Sequence, residues 1–85
     1  MSAFLIKASV MDLFVDVPGS EARKGKELCL YFDPHGGPNQ LFRWNDQGQL
    51  VSDLEPDLCL GVEKVKPGAK LVLRKLKHAD TTRYI

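Results

Sequence analysis

Residues 39 to 52 read Asn39-Gln40-Leu41-Phe42-Arg43-Trp44-Asn45-Asp46-Gln47-Gly48-Gln49-Leu50-Val51-Ser52, and they punctuate the chain more sharply than any other segment. At their centre Asn45-Asp46-Gln47-Gly48 is a turn with a mechanism. Asn and Asp side chains hydrogen-bond nearby backbone, and glycine enters the left-handed region without steric cost. Before the turn, Phe42 and Trp44 alternate with Arg43, so the two aromatic rings share one face of a strand. After it, Leu50 turns inward on the next.

Working outward, every other apolar run is also short. Phe4 to Ala8, Leu13 to Val17, Glu27 to Phe32, Gln40 to Trp44, Gln49 to Asp53, Leu58 to Val62, Lys70 to Lys75 and Arg83 to Ile85 have strand character. Between them lie Pro18-Gly19-Ser20, the Asp33 to Asn39 loop, Glu55-Pro56-Asp57 and Pro67-Gly68, all turn formers. No window keeps a helical period for three turns without meeting Pro or Gly. An all-β chain of about eight strands is expected, with one turn of 3₁₀ helix in the 33–39 loop.

The runs repeat. Leu5-Ile6 recurs 45 residues later as Leu50-Val51, and Leu13-Phe14-Val15-Asp16-Val17 recurs at the same offset as Leu58-Cys59-Leu60-Gly61-Val62. Gly25-Lys26-Glu27-Leu28-Cys29-Leu30 matches Gly68-Ala69-Lys70-Leu71-Val72-Leu73 at an offset of 43. A period of this size marks units that bury their apolar faces only by stacking on copies. The chain divides into repeat one, residues 1–47, and repeat two, residues 48–85, within a single unit spanning 1–85.

The segment from Asn39 to Ser52, followed by Leu58-Cys59-Leu60-Gly61-Val62, resembles the Q-x-W signature of ricin-type β-trefoil lectins. The likeness is strongest over about 24 residues and weaker over the whole chain. Gln40 and Phe42 occupy the Q-x-W positions, with Phe42 in place of tryptophan, and the turn at Asn45 leads into the next repeat. The resemblance implies a β-trefoil-like fold. That fold takes three four-stranded repeats, whereas this chain holds two, which leaves open sheet edges and an uncovered interior. Closure by oligomerisation is therefore expected, with neighbouring copies supplying the missing third, ahead of the alternative that the chain is a piece of a longer polypeptide.

The resemblance also implies a sugar site for galactose- or GalNAc-type ligands. Asp16 matches the hydroxyl-accepting aspartate, and Asn39 with Gln40 completes the polar set. Counting back from Asn39 puts the stacking position at Leu30, which departs from the pattern, so Tyr31 or His35 is assigned the platform. In repeat two the matching positions are Gly61 and Thr82, and that site looks inactive. One weak site per chain would gain from self-association through avidity.

Composition narrows the alternatives. The 85 residues are 44% hydrophobic and 27% charged, with a net charge of +1. Such a chain is a folded domain, and no run approaches the ~20 apolar residues of a membrane helix. Met1 to Lys7 lacks the features of a secretory signal, so a cytoplasmic location is expected. Cys29 and Cys59 read as two buried, reduced thiols. His35 and His78 have no partners at metal-ligand spacing, and no nucleophile elbow, phosphate loop or H-E-x-x-H appears. Neither a metal, a cofactor nor catalysis is expected.

Charge is unevenly spread: residues 1–61 sum to −4 and residues 62–85 to +5. The basic end, with Lys64, Lys66, Lys70, Arg74, Lys75, Lys77 and Arg83, suggests a polyanion as a lesser alternative, though without the interleaved aromatics that would favour nucleic acid. The main alternative to a lectin is a trefoil protein-interaction or oligomer-forming subunit, for which Trp44 would suit either the core or an interface.

Overall fold

The computed structural model describes residues 2–76. They form six strands: β1 (Phe14–Asp16), β2 (Cys29–Tyr31), β3 (Phe42–Trp44), β4 (Leu50–Ser52), β5 (Leu58–Val62) and β6 (Leu71–Lys75). Two 3₁₀ turns interrupt these strands, Pro18–Ser20 and Pro38–Gln40. The second lies at the end of the loop where one was expected, and the first was not anticipated. Each begins with proline, whose fixed φ suits a helical first position and whose missing N–H is not needed there.

The β3–β4 hairpin forms as its sequence dictates. Asn45 Oδ1 accepts from the Gln47 and Gln49 amides at 2.9 and 3.0 Å, and Gly48 sits at φ 75°. Gln49 is buried as well, held by Asn45 at 2.9 Å and donating to the Leu76 carbonyl at 2.9 Å. The turn sets the register Phe42↔Ser52, Arg43↔Val51, Trp44↔Leu50.

β3, β4, β5 and β6 make one antiparallel sheet in chain order, and β1 with β2 makes another. Backbone hydrogen bonds join the two at both ends. Residues 25–28, which lead into β2, pair with β6: Gly25 N donates to Leu73 O (2.8 Å), Leu73 N to Lys26 O (2.9 Å) and Leu28 N to Leu71 O (3.0 Å). On the other side, Val15 N donates to Ile6 O at 2.9 Å, and Phe4 exchanges bonds of 2.8 and 3.0 Å with Phe42. Pairing therefore runs in a circuit, from β3 through β6 to residues 25–28, β2, β1 and the N-terminal segment, and back to β3.

Within the described residues this circuit is closed by one chain. That differs from the open edges expected from the repeat count. The β6-to-25–28 contact joins equivalent strands of the two repeats, a long-range pairing that no local pattern encodes. Phe4 to Ala8, expected as a full strand, makes only the bridges Phe4↔Phe42 and Lys7↔Phe14. It crosses from one partner to the other within four residues, so neither ladder extends. The last expected strand, Arg83 to Ile85, lies outside the described residues.

Val15, Val17, Leu28, Phe42, Leu50, Leu58, Leu60 and Leu73 form the core, with Phe42, Val17 and Leu73 wholly excluded from solvent. Phe4, Ile6 and Trp44 pack against it, and the Phe4 and Trp44 rings lie 6.5 Å apart. Both repeats feed this core, as stacked units must. The two cysteines differ: both are free, Cys59 is buried, and Cys29 is exposed. The expected pair of buried thiols is corrected at Cys29, which lies on the outward face of β2 opposite Asp16.

Candidate functional site

A carboxylate lies at the end of β1. Asp16 alternates with the core residues Val15 and Val17 and so faces the other side of the strand, yet its side chain is only 6% exposed. The 3₁₀ turn at Pro38–Gln40 covers it, anchored by a Val17 N to Asn39 O bond of 2.8 Å. This places two successive amide side chains over the carboxylate. Asn39 Nδ2 donates to Asp16 Oδ1 at 3.1 Å, and Gln40 Nε2 donates to Oδ2 at 3.0 Å. A buried carboxylate needs such donors, since bonds to an ionised group contribute roughly 1.5–3 kcal/mol each.

Gln40 is completely buried and its amide is fully committed. Nε2 also donates to the Asp33 carbonyl at 2.7 Å, and Oε1 accepts from Gly36 N at 3.2 Å. It therefore cannot touch a ligand. Its work is to orient Asp16 and hold the 33–36 loop. Asn39 is half-buried, so of the two amides it is the one with surface to offer.

The loop brings His35 to the same place. Gly37 N donates to His35 Nδ1 at 2.9 Å, which leaves the proton of a neutral imidazole on Nε2. That nitrogen stands 3.9 Å from Asp16 Oδ2, with 37% of the histidine side chain exposed. Tyr31 completes the group. Its ring meets His35 edge-on at 6.2 Å and Phe32 at 5.0 Å, and both Tyr31 and Phe32 are exposed.

Asp16, Asn39, Gln40, Tyr31 and His35, separated by up to 24 residues in sequence, thus converge on one patch. The counted stacking position, Leu30, does not. Cα pairing is Asp16↔Cys29, Val15↔Leu30 and Phe14↔Tyr31, so Leu30 shares the face of Val15 whereas Tyr31 shares the face of Asp16. The parity of the strand, not the count, decides which side chain can meet a ligand on the carboxylate. Two participants were not foreseen. The Asp33 carbonyl has no sequence signal, while Phe32 had one in its adjacency to Tyr31 at the edge of a glycine-rich loop.

No protein-family model matches the sequence, and no curated protein matches it. A solved structure does. The chain resembles the C-terminal domain of the earthworm lectin, determined as a mutant in complex with 6'-sialyllactose, with a TM-score of 0.52 and 16% identity over 98% of this chain and 95% of that one. At that identity the shared property is the fold. The all-β architecture described above is shared with that domain.

Within this fold, the second repeat offers a direct internal control. Strand offsets align Asp16 with Gly61 and Tyr31 with Arg74, and the pairing Gly61↔Val72, Cys59↔Arg74 reproduces Asp16↔Cys29, Phe14↔Tyr31. The carboxylate and the aromatic ring are both gone. Thr82, the counterpart of Asn39, lies outside the described residues.

Proposed function

We propose that this chain is a non-enzymatic carbohydrate-binding module whose site is the Asp16 patch of the first repeat. The carrying observation is the convergence of a buried, doubly hydrogen-bonded carboxylate with an exposed aromatic ring. Asp16 accepts from sugar hydroxyls, Asn39 adds a second polar contact, and Tyr31 stacks on the apolar face of the ring, with His35 bordering the carboxylate. A shallow site for a neutral polyol needs this mixture of an apolar platform and a few oriented polar groups. The glycan in the earthworm lectin complex supports a sugar as the ligand class.

Galactose- or GalNAc-type sugars are the proposed ligands, and self-association is the proposed route from one weak site to useful avidity. The exposed Leu30, Phe32 and Leu71 supply apolar surface for it. Titration with galactose, followed by amide shifts of residues 31–40, tests the reading. Millimolar binding that disappears in Asp16→Ala is the expected result; no response to any neutral sugar refutes it. Sedimentation equilibrium tests self-association separately, and a monomer at all concentrations overturns that part.

A second reading is favoured by Phe32, which is 69% exposed beside Tyr31. Paired exposed aromatics of this kind also serve protein-binding surfaces. In that case Asp16→Ala would leave partner binding intact and Phe32→Ala would remove it.

A further inference from the structure

Histidine is the side chain whose charge ordinarily changes between about pH 5 and pH 8, and the Asp16 patch holds one, His35. Its two ring nitrogens face different demands. Nδ1 accepts from the Gly37 amide at 2.9 Å, so it must be free of a proton. Nε2 stands 3.9 Å from Asp16 Oδ2, near enough to attract as an ion but beyond a hydrogen bond. The ring thus lies between a backbone amide that requires its neutral form and a carboxylate that favours its charged form.

The groups that face the imidazole come from three elements and its own loop. β1 supplies the Asp16 carboxylate. β2 supplies Tyr31, edge-on at 6.2 Å, and the Cys29 thiol opposite Asp16, whose pKa is raised by the protein packed around it so that it stays uncharged in this range. The 3₁₀ turn Pro38–Gln40 supplies neutral amides, Asn39 and Gln40, both donating to Asp16. The loop adds Asp33, whose carbonyl Gln40 holds. Gln40 also fixes the Gly36 amide, and a proton on His35 touches neither of these bonds. The Gly37 contact is the one it breaks. A Cβ on Gly37 would stand 3.0 Å from His35 Nδ1 and Cε1 and from Asn39 Oδ1, so the imidazole and the Asn39 side chain rest on the same backbone atom.

We infer that protonation of His35 closes the Asp16 patch: the imidazolium leaves the Gly37 amide and moves onto the Asp16 carboxylate, taking the oxygen that a ligand hydroxyl would otherwise reach. The proton comes from solvent, to which 37% of the side chain is open, and adds to Nδ1. That nitrogen then has no lone pair for Gly37, and two N–H groups are left pointing at each other. A shift of about 1 Å carries Nε2 to charge-assisted bonding distance from Asp16 Oδ2. This oxygen already accepts from Gln40, so a second donor fills it. Proton and ligand exclude each other, and linkage makes the effect reciprocal. The ligand binds less tightly in acid, and when bound it lowers the pH at which His35 protonates. The release of a sugar rests on the reading of this patch as a sugar site; the movement of His35 does not.

Two measurements on the intact protein separate the switch from its ligand. In sugar-free solution, NMR from about pH 8 to about pH 5 follows the scalar coupling that an N–H···N bond carries between the Gly37 and His35 Nδ1 nitrogens, together with the Asp16 carboxyl carbon. Expected is a coupling that vanishes, and an Asp16 signal that shifts, with the midpoint of the His35 ring. Galactose affinity is then measured over the same range. Where proton and ligand exclude each other, it falls by about tenfold per pH unit below that midpoint. His35→Asn retains an oxygen able to accept from an amide two residues on but takes up no proton, so the ratio of affinities between the two ends of the range should return to about one. A coupling that survives protonation, an affinity independent of pH, or a decline that persists in His35→Asn would overturn the proposal. If no neutral sugar binds at any pH, the sugar reading of the patch fails, and the coupling and the Asp16 signal still decide whether His35 moves.

Discussion

The two repeats share a backbone plan and differ in what they place on it. β1 with β2 and β5 with β6 pair in the same register, yet one pair presents Asp16 and Tyr31 outward and the other Gly61 and Arg74. In the first, loop residues 33–40 close over the carboxylate with two amides. In the second, an arginine lies across its own hairpin. A repeated fold preserves the core side of each strand because both repeats contribute to one interior, while the outward positions are released from that constraint. Val15 and Leu60 are equivalent core residues; Asp16 and Gly61 are equivalent outward residues with unrelated chemistry.

The strongest way to break the contrast is to remove the amide that maintains the first site. Gln40→Ala leaves Asp16 one donor short, the Asp33 carbonyl without its side-chain donor and the Gly36 amide without an acceptor. Each buried polar group left unmatched costs about 1–3 kcal/mol, so a loss of about 2–4 kcal/mol is expected after partial solvation. Urea denaturation measures it. If Gln40 merely fills space, Gln40→Met, similar in volume, would restore stability; the expectation is that it does not.

Next in size is the attempt to convert the second site into the first. Gly61→Asp places a Cβ against Arg74 Cγ, with Arg74 Cβ and Cδ each 3.4 Å away. Because the obstructing atom belongs to the stem of the arginine and not to its tip, the whole side chain must move. Overpacking of this kind costs about 1–3 kcal/mol. The double variant Gly61→Asp with Arg74→Tyr removes the obstruction and rebuilds the outward pair of repeat one, so much of that loss should return. A lack of recovery in thermal denaturation would mean that the repeats diverge in backbone as well as in side chains.

These expectations separate what the sequence discloses from what it does not. The Asn45–Gly48 turn, the strand segments and the repeat offsets follow from short-range rules, and the structure places a strand, or at least isolated bridges, in every expected run that it describes. The meeting of Asp16 with Asn39 and Gln40 came only from the family resemblance, since residues 23 and 24 apart have no local reason to touch. Leu30 shows a different limit. A count along the chain slips by one residue without notice, and on a strand one residue is the difference between two faces. Closure of the circuit between β6 and residues 25–28 was hidden for a third reason: it pairs two strands whose sequences describe only their own hairpins. Arg74 lay in view as part of a basic run, but nothing before folding linked it to Gly61.

A contribution of pH is expected from the cysteines, which face these outward charges directly. Cys29 is paired across the strands with Asp16 and Cys59 with Arg74. Both thiols have raised pKa values. For Cys29 the protein packed around its sulfur is the larger cause and the Asp16 carboxylate adds to it, against the opposing Lys26; for Cys59 burial dominates and Arg74 opposes. A thiol whose folded pKa exceeds its unfolded value stabilises the fold at pH below the unfolded value. That contribution is lost as pH rises through the folded one, so stability should fall above about pH 9. Both single-cysteine changes to serine should flatten the decline.

The smallest expected effect tests the charge inversion itself. Asp16→Asn removes a negative charge beside Cys29 and should lower that thiol's pKa, so alkylation of exposed Cys29 at pH 8 should accelerate about two- to fivefold, in proportion to its thiolate fraction. Arg74→Gln should move Cys59 the other way, since it removes the cation that stabilises the thiolate. Alkylation of Cys59 also requires local opening, so its pKa is better followed by the Cβ carbon shift in an NMR titration. Opposite shifts at the two sulfurs would record the exchange of a negative for a positive outward charge between repeats. Shifts of the same sign would mean that each substitution changes burial, and the contrast between the two sites would then be one of packing and not of charge.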